Sequence, residues 1–382
     1  MVDLTAEDLP LSADFESVYR VGSADAVAEW EQFSTILGLG FDAAGRLYLL
    51  DGTDMRAAGR VVVVDASGRH VRNFGRPGEG PGEFQRGTEL VVWRDGSTLV
   101  ADIAGYHVFA AGGAFERRVR ETGGFGVVTR RGLRRERTGY QAVVVRDGRY
   151  IRRVDMSLEE VQGRMLVEAW NPRAPTEAPP IVDFEDVLNT VGEEWGFEPE
   201  VLFDALPTGG VAFSDSSAYA IKLTDASGSI SRILRRPLRP MAVTEGMKRE
   251  ERERRLEEER IRQATAIEGD PPPQVLTMIN RYLEAQTAAV ENMRFYPDLP
   301  VVAALRVTWE GNLWVERSTE AGSSEPGAID VLTPDGHYIG TFPAGRIEMP
   351  GAFGPDGLVA FLEADEFGVP VITVRRLTQK VR

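Results

Sequence analysis

Short apolar runs separated by glycine-bearing turns recur along the whole chain, and helical periodicity is confined to a single stretch. The run–turn–run unit reads "LGFDAAGRLYLL", "VVWRDGSTLVA", "VVVRDGRYIRR", "DALPTGGVAFS", "RVTWEGNLWVE" and "GAFGPDGLVAF", turning at Gly45, Gly96, Gly148, Gly210, Gly311 and Gly357. Glycine between β-branched runs predicts a hairpin, because it accepts φ > 0 without steric cost. A second hairpin follows most of these units: "VVVVDASGRHVRNF", "HVFAAGGAFERRV", "AIKLTDASGSISRIL" and "AIDVLTPDGHYIGTF" turn at Gly68, Gly113, Gly228 and Gly336. Two hairpins make a four-stranded antiparallel sheet. Six such sheets predict an all-β fold, a six-bladed β-propeller, which leaves few long edges exposed.

Three irregularities refine this expectation. The sixth unit lacks a fourth strand after "PVITVRRL", and the otherwise unpaired "FESVYRVGS" predicts it, with Phe15–Val21 pairing to Val369–Leu377 and closing the ring. The third unit is the least regular, with "MLVEAWNPRAP" and "PPIVDFED" read as its third and fourth strands. The stretch "NFGRPGEGPGEF" fits neither the G-x-G-x-x-G nor the G-x-x-x-x-G-K-[ST] phosphate-binding pattern. It is expected to be a stiff joint from the outermost strand of the first unit to the innermost strand of the second, with Phe84 filling the gap between them.

Between the fourth and fifth units the spacing of turn glycines roughly doubles. There "TEGMKREERERRLEEERIRQATA" predicts a helix laced with i,i+4 pairs such as Glu250–Arg254 and Glu251–Arg255, with too few apolar residues for a buried stripe. "GDPPPQ" interrupts it. "VLTMINRYLEAQTAAVENM" then resumes as an amphipathic helix carrying Leu276, Ile279, Leu283 and Val290. The expectation is one domain, residues 1–382, with an α-helical insertion between blades four and five at about residues 240–296. Insertions in repeat folds collect on one face, where this one would decorate the surface, close over the mouth or dock a partner.

"GRPGEGPGEF" followed by "WRDGSTLVADIAGYHVFAAGGAFERRV" resembles NHL-type repeats of bacterial six-bladed β-propeller proteins, many of them exported, and "LRVTWEGNLWVERSTE…AIDVLTPDGHYIGTF" is similar to their last blades. The resemblance spans about residues 34–120 and 300–345. It implies the fold and no particular activity. His107 stands where those repeats usually have arginine.

Composition narrows the function classes. A net charge of −15 argues against general nucleic-acid binding. The charge is unevenly spread: Arg117–Arg153 holds twelve arginines against three acids, while Glu159–Asp204 holds twelve acids against Arg164 and Arg173. Neighbouring strands of opposite sign neutralise each other, or the basic segment captures an anion. No apolar run is long enough to span a membrane. The acidic start "MVDLTAEDLPLSADFE" lacks the apolar core of a signal peptide, which leaves a periplasmic or extracellular location after removal of an export segment, or a cytoplasmic one. With no cysteine there is neither a disulfide nor a thiolate site.

Candidate chemistry is sparse. The three histidines form no i,i+2 or i,i+4 pair suited to zinc, and no G-x-S-x-G elbow occurs. Calcium needs only oxygens, and lactonase-type propellers hold it at the channel mouth, yet this chain has just six asparagines to contribute. The connections between second and third strands, "LDGTDMRAAGR", "ADIAGYH", "SDSSAY" and "VERSTEAGSSEPG", supply the candidate binding residues Asp51, Asp54, Arg56, Asp102, Tyr106, His107, Asp215, Tyr219, Glu316 and Arg317. Asp51 and Asp102 have the alternative role of capping loop N–H groups. The reading is a non-catalytic module that binds a protein or a small-molecule ligand. The alternatives are a calcium-dependent, lactonase-like hydrolase and a structural subunit docked through its helices.

Overall fold

The computed structural model describes residues 1–12, 14–54, 57–85, 87–102, 105–120, 129–132, 141–146, 150–156, 162–168, 193–265, 272–319, 325–377 and 381. Among these residues, six sheets of four or five strands follow one another along the chain. The first comprises Thr35–Phe41, Leu47–Asp54, Ala57–Val64 and His70–Phe74. The second comprises Gly87–Val92, Thr98–Asp102, Gly105–Phe109 and Phe115–Val119. Thr129–Gly132, Gln141–Arg146, Tyr150–Asp155 and Gln162–Glu168 form the third. Leu202–Ala205, Val211–Ser214, Ala220–Thr224 and Ile230–Arg235 form the fourth, extended by Val2–Asp3 in parallel. The fifth is Val302–Val307, Leu313–Arg317, Ile329–Leu332 and Tyr338–Phe342. The sixth is Ala352–Phe353, Leu358–Ala364, Pro370–Arg376 and, from the other end of the chain, Glu16–Val21.

Runs such as Leu47–Leu50 and Val61–Val64 are continuously apolar because both faces of each sheet are buried. Successive strand residues point to opposite faces, so Leu49 joins Ala360 and Ile372 of the sixth sheet while Leu50 joins Phe84 and Val100 on the side of the second. The same alternation continues around the molecule. Tyr106 and Val91 meet Val144 and Val154; Val143 and Ile151 meet Phe203 and Phe213; Ile221 meets Leu305 and Leu313; Trp314 and Phe342 meet Val359 and Phe361. Antiparallel meanders stacked face to face, with the first strands of five of them around a common cavity, make a β-propeller.

The expected partnership of the two chain ends is present: Glu16 pairs with Arg376 and Val21 with Ile372. Deleting residues 1–22 uncovers the edge of Pro370–Arg376 and is expected to cause concentration-dependent aggregation. Light scattering checks this; a truncated chain that stays monomeric with an unchanged melt would refute it.

The third sheet corrects the reading of its hairpins. The run on either side of Gly148 forms the second and third strands, Gln141–Arg146 and Tyr150–Asp155, rather than the first two. Thr129–Gly132, hidden among arginines, is the first strand, and "MLVE" lies in the fourth. "PPIVDFED" and much of the arginine-rich and acidic segments lie outside the described residues.

The joint at Asn73–Phe84 is built as a clasp. Arg76–Pro77 pairs in parallel with Glu83–Phe84, and Phe84 is completely buried between the first and second sheets. Gly75 has φ +75°, and a Cβ there would stand 2.3 Å from the Phe84 ring. Only glycine lets the chain leave the first sheet over that ring.

Two helices, Glu245–Thr265 and Pro273–Glu291, lie in the chain between Ile230–Arg235 and Val302–Val307. Of the second helix, Leu283 and Val290 are buried, on the side that packs against the first.

Candidate functional site

The first strands of the first, second, fourth, fifth and sixth sheets line a central cavity of about 290 Å³. Aliphatic and aromatic side chains and glycines line it, with Glu89, Arg94, Asp204, Arg306 and Thr308 as polar members. Arg94 reaches from the second sheet to the fifth. Its Nη2 donates to the Trp309 carbonyl (2.5 Å) and its guanidinium lies 4.2 Å from the Trp309 ring centroid. Trp309 in turn packs on the cluster between the sixth and first sheets. This cation–π pair spans the cavity at the end where first strands turn into second strands. Asp204 accepts from Val307 N (2.9 Å) and so ties the fourth sheet to the fifth.

The candidates read from the sequence sit in separate environments. Asp51 is buried, accepts from Ser34 N (3.0 Å) and pairs with Arg60 (3.1 Å), whose guanidinium also donates to three carbonyls at Glu29–Gln32. Asp102 is its counterpart in the second sheet, accepting from Gln85 N (2.9 Å). In both sheets a carboxylate at the end of the second strand holds the chain as it enters the first. His107 Nε2 lies 3.5 Å from Asp102, and the imidazole meets the Phe84 ring edge-on. Tyr106, one residue earlier, faces the opposite side and is fully buried between the second and third sheets. Asp215 is buried with Lys222 Nζ 2.7 Å from each of its oxygens. Glu316 accepts from Gly327 N (3.0 Å) beside a hollow that also holds Arg317, Glu325 and Glu348. The backbone of Asp54 pairs with Ala57 at the end of the first sheet, and Arg56 lies outside the described residues.

Besides Asp102 and His107, Tyr219 and Arg317 are brought together, and what joins them is Asp330. This aspartate is completely buried in the fifth sheet. It accepts from Thr341 Oγ1 (2.6 Å), lies 2.9 Å from Arg236 Nη1, and lies 3.7 Å from Arg317 Nε. Burial, with this carboxylate alongside, pushes the Tyr219 hydroxyl well above its ordinary pKa. Arg236 and Arg317 also converge on Asp8 of the N-terminal segment, at 3.0 and 2.7 Å. Burial pulls the Asp8 carboxyl up, but hydrogen bonds from Arg317 and Arg236 outweigh it and hold the group below its ordinary value.

Arg236, Asp330 and Asp8 were missed in the sequence. Arg236 sits in "LRRPLRP", which reads as an ordinary basic connection. Asp330 did leave a signal: it is a lone acid inside "AIDVL", a run with both faces buried. Among the described residues, no group of three or more histidine or acidic side chains is placed to hold a metal ion.

No family model and no curated protein matches the sequence. Solved structures do match, at low identity. A Bacteroides fragilis protein inferred to be exported has 12% identity and a TM-score of 0.50, with 99% of each chain covered. A DUF4221-family member from Bacteroides vulgatus has 12% identity and a TM-score of 0.48 over 95% of this chain and 98% of the other. The β-propeller domain of Cps50 (Swd1) from Myceliophteria thermophila has 11% identity and a TM-score of 0.45 over 96% and 100%. At such identities the likeness is one of fold alone.

Proposed function

We propose that this chain is a non-catalytic recognition module: a single six-bladed, NHL-like propeller whose helical insertion, between blades four and five, docks a protein partner. Six sheets in series, with an apolar cluster between each consecutive pair, support the blade count. The observation that carries the docking role is the way the helices are mounted. Their base is clamped: Trp195–Gly196 pairs with Arg294–Phe295, Trp195 stacks edge-on with Tyr296, and Arg255 pairs with Glu194 at 2.8 Å. Away from the base they stand in solvent. Glu259 is the sole buried residue described in the first helix, and Ile261, Val275 and Met278 are exposed.

Antiparallel alternation puts the sheet-to-sheet connections on the same face as those joining second and third strands. Hydrogen bonds link the two sets: Val301 N to Ser217 O, Gly345 N to Pro326 O, and Ala24 N to Asp365 Oδ2, each 2.9 Å. The helices belong to one of these connections, so they rise beside the loops best placed for recognition.

Replacing residues 244–293 with a short Gly/Ser linker tests the reading. The first helix contributes little core, so the variant is expected to keep its β-sheet circular dichroism and a cooperative melt while losing the proteins that co-purify with the intact chain from its host. The same partners on both proteins would remove the helices from the docking role. Loss of cooperative unfolding would make them part of the core.

A further inference from the structure

The N-terminal segment does more than contribute Glu16–Val21 to the sixth sheet. Residues 2–11 first cross the outer strands of the fourth and fifth sheets. Val2 and Asp3 pair in parallel with Leu234 and Arg235, and Leu4 N donates to Arg235 O (2.7 Å). Farther along, Thr341 N donates to Leu9 O and Leu11 N to Thr341 O, both at 2.8 Å. Residues 5–10 are exposed, while Leu4 and Leu11 are buried in the clusters on either side of the fifth sheet.

The receptor surface under this segment is built to read a main chain. Arg236, its side chain wholly buried, donates to the carbonyls of Thr5 (2.9 Å), Ala6 (3.2 Å) and Glu7 (3.1 Å) and to Asp8 Oδ1 (3.0 Å). It is held in place by Asp330 on one side and by the Tyr338 ring, 4.6 Å from its guanidinium, on the other. Gly340 keeps the path clear, since a Cβ there would lie 2.6 Å from Leu9 O and 2.8 Å from the Leu11 side chain. Edge pairing and carbonyl contacts supply affinity for any extended chain, and pockets for alternate side chains supply selectivity.

We propose that the rim across the fourth and fifth sheets is a peptide-docking groove, filled here by the chain's own residues 2–11. It is suited to an extended segment of another polypeptide with the same chemistry: an apolar anchor, an acid four residues on, and a second apolar anchor three residues later. Leu4, Asp8 and Leu11 define that pattern, with Arg236 and Arg317 providing the complementary charge. A tethered segment competes at an effective concentration of order millimolar, so the groove opens to outside partners when the N-terminal segment is displaced. The rim is separate from the helices, so this inference stands or falls independently of their docking role.

The test uses a fluorescent peptide of residues 1–12 and a chain lacking residues 1–11, which retains the strand Glu16–Val21. Anisotropy is expected to show saturable binding to the shortened chain and none to the intact one. The Leu4→Ala peptide should bind at least about tenfold more weakly, since it loses a buried anchor, and the Asp8→Asn peptide up to about fivefold, since its pairs are in contact with water. If the shortened chain fails to fold, a protease site placed between Ser12 and Asp14 allows cleavage after folding. The labelled peptide should then replace the severed segment. Absence of saturable binding to both proteins, or equal binding of a scrambled peptide, would overturn the groove. Capture of an intact second copy without capture of the peptide would overturn it in favour of strand exchange between copies.

Discussion

Phe84→Ala should lower the stability of the fold by about 3–5 kcal/mol, because a fully buried ring is lost and a cavity remains. Phe84 is 0% exposed and makes edge contacts with Phe109 (5.8 Å between centroids) and His107 (5.5 Å). It is the wedge through which the first and second sheets share an interior. Collapse around the vacancy is limited, since Gly75 on the other side of the ring has no side chain to offer. Glu79, five residues away in the same clasp, is exposed, and its carboxylate accepts from the Gln85 amide (2.7 Å). Glu79→Ala should stay within about 0.5 kcal/mol. The denaturation midpoints of the two variants, read together, decide the matter. Equal and small losses would mean that the clasp lies free in solvent and that the glycine-rich stretch serves a ligand after all.

A loss of similar size, about 3–5 kcal/mol, is expected for Asp330→Ala, from a different cause. Breaking a buried ion pair leaves an uncompensated charge in the interior, which costs far more than the pair contributes when intact. Arg236 would be that charge. Its other carboxylate partner, Asp8, is nearly half exposed and cannot substitute. Asp8→Asn should accordingly cost no more than about 1 kcal/mol, as pairs in contact with water do. Replacing both partners of the buried pair, Arg236→Met with Asp330→Leu, should recover most of the stability lost by Asp330→Ala, because no orphaned charge remains. Chemical denaturation of the three variants checks this. A double variant as unstable as the single one would show that packing around Asp330, rather than charge, dominates the site.

Much of the fold was legible in the sequence because the information is local. A glycine between two β-branched runs dictates a turn whatever surrounds it, and every hairpin read at Gly45, Gly96, Gly210, Gly311 and Gly357 joins the first and second strands of a sheet. The unpaired N-terminal run found the one sheet lacking a strand, and the two helices follow from charge pairing and apolar spacing along single segments. The third sheet misled at Gly148, where dense arginines masked the short strand Thr129–Gly132. Side-chain roles were another matter. Period-two alternation says that Tyr106 and His107 point to opposite faces, but only the stacked neighbours make one a core residue and the other the partner of Asp102. Asp51 and Asp102 hold the chain's entry into their sheets because loops distant in sequence return to them. The meeting of Arg236 with Thr5, Asp8 and Asp330 needs three parts of the chain, and no local pattern encodes it. Backbone propensity is a property of neighbours in sequence. Burial, which determines what a charge can do, is a property of neighbours in space, and only the closed stack of sheets supplied it.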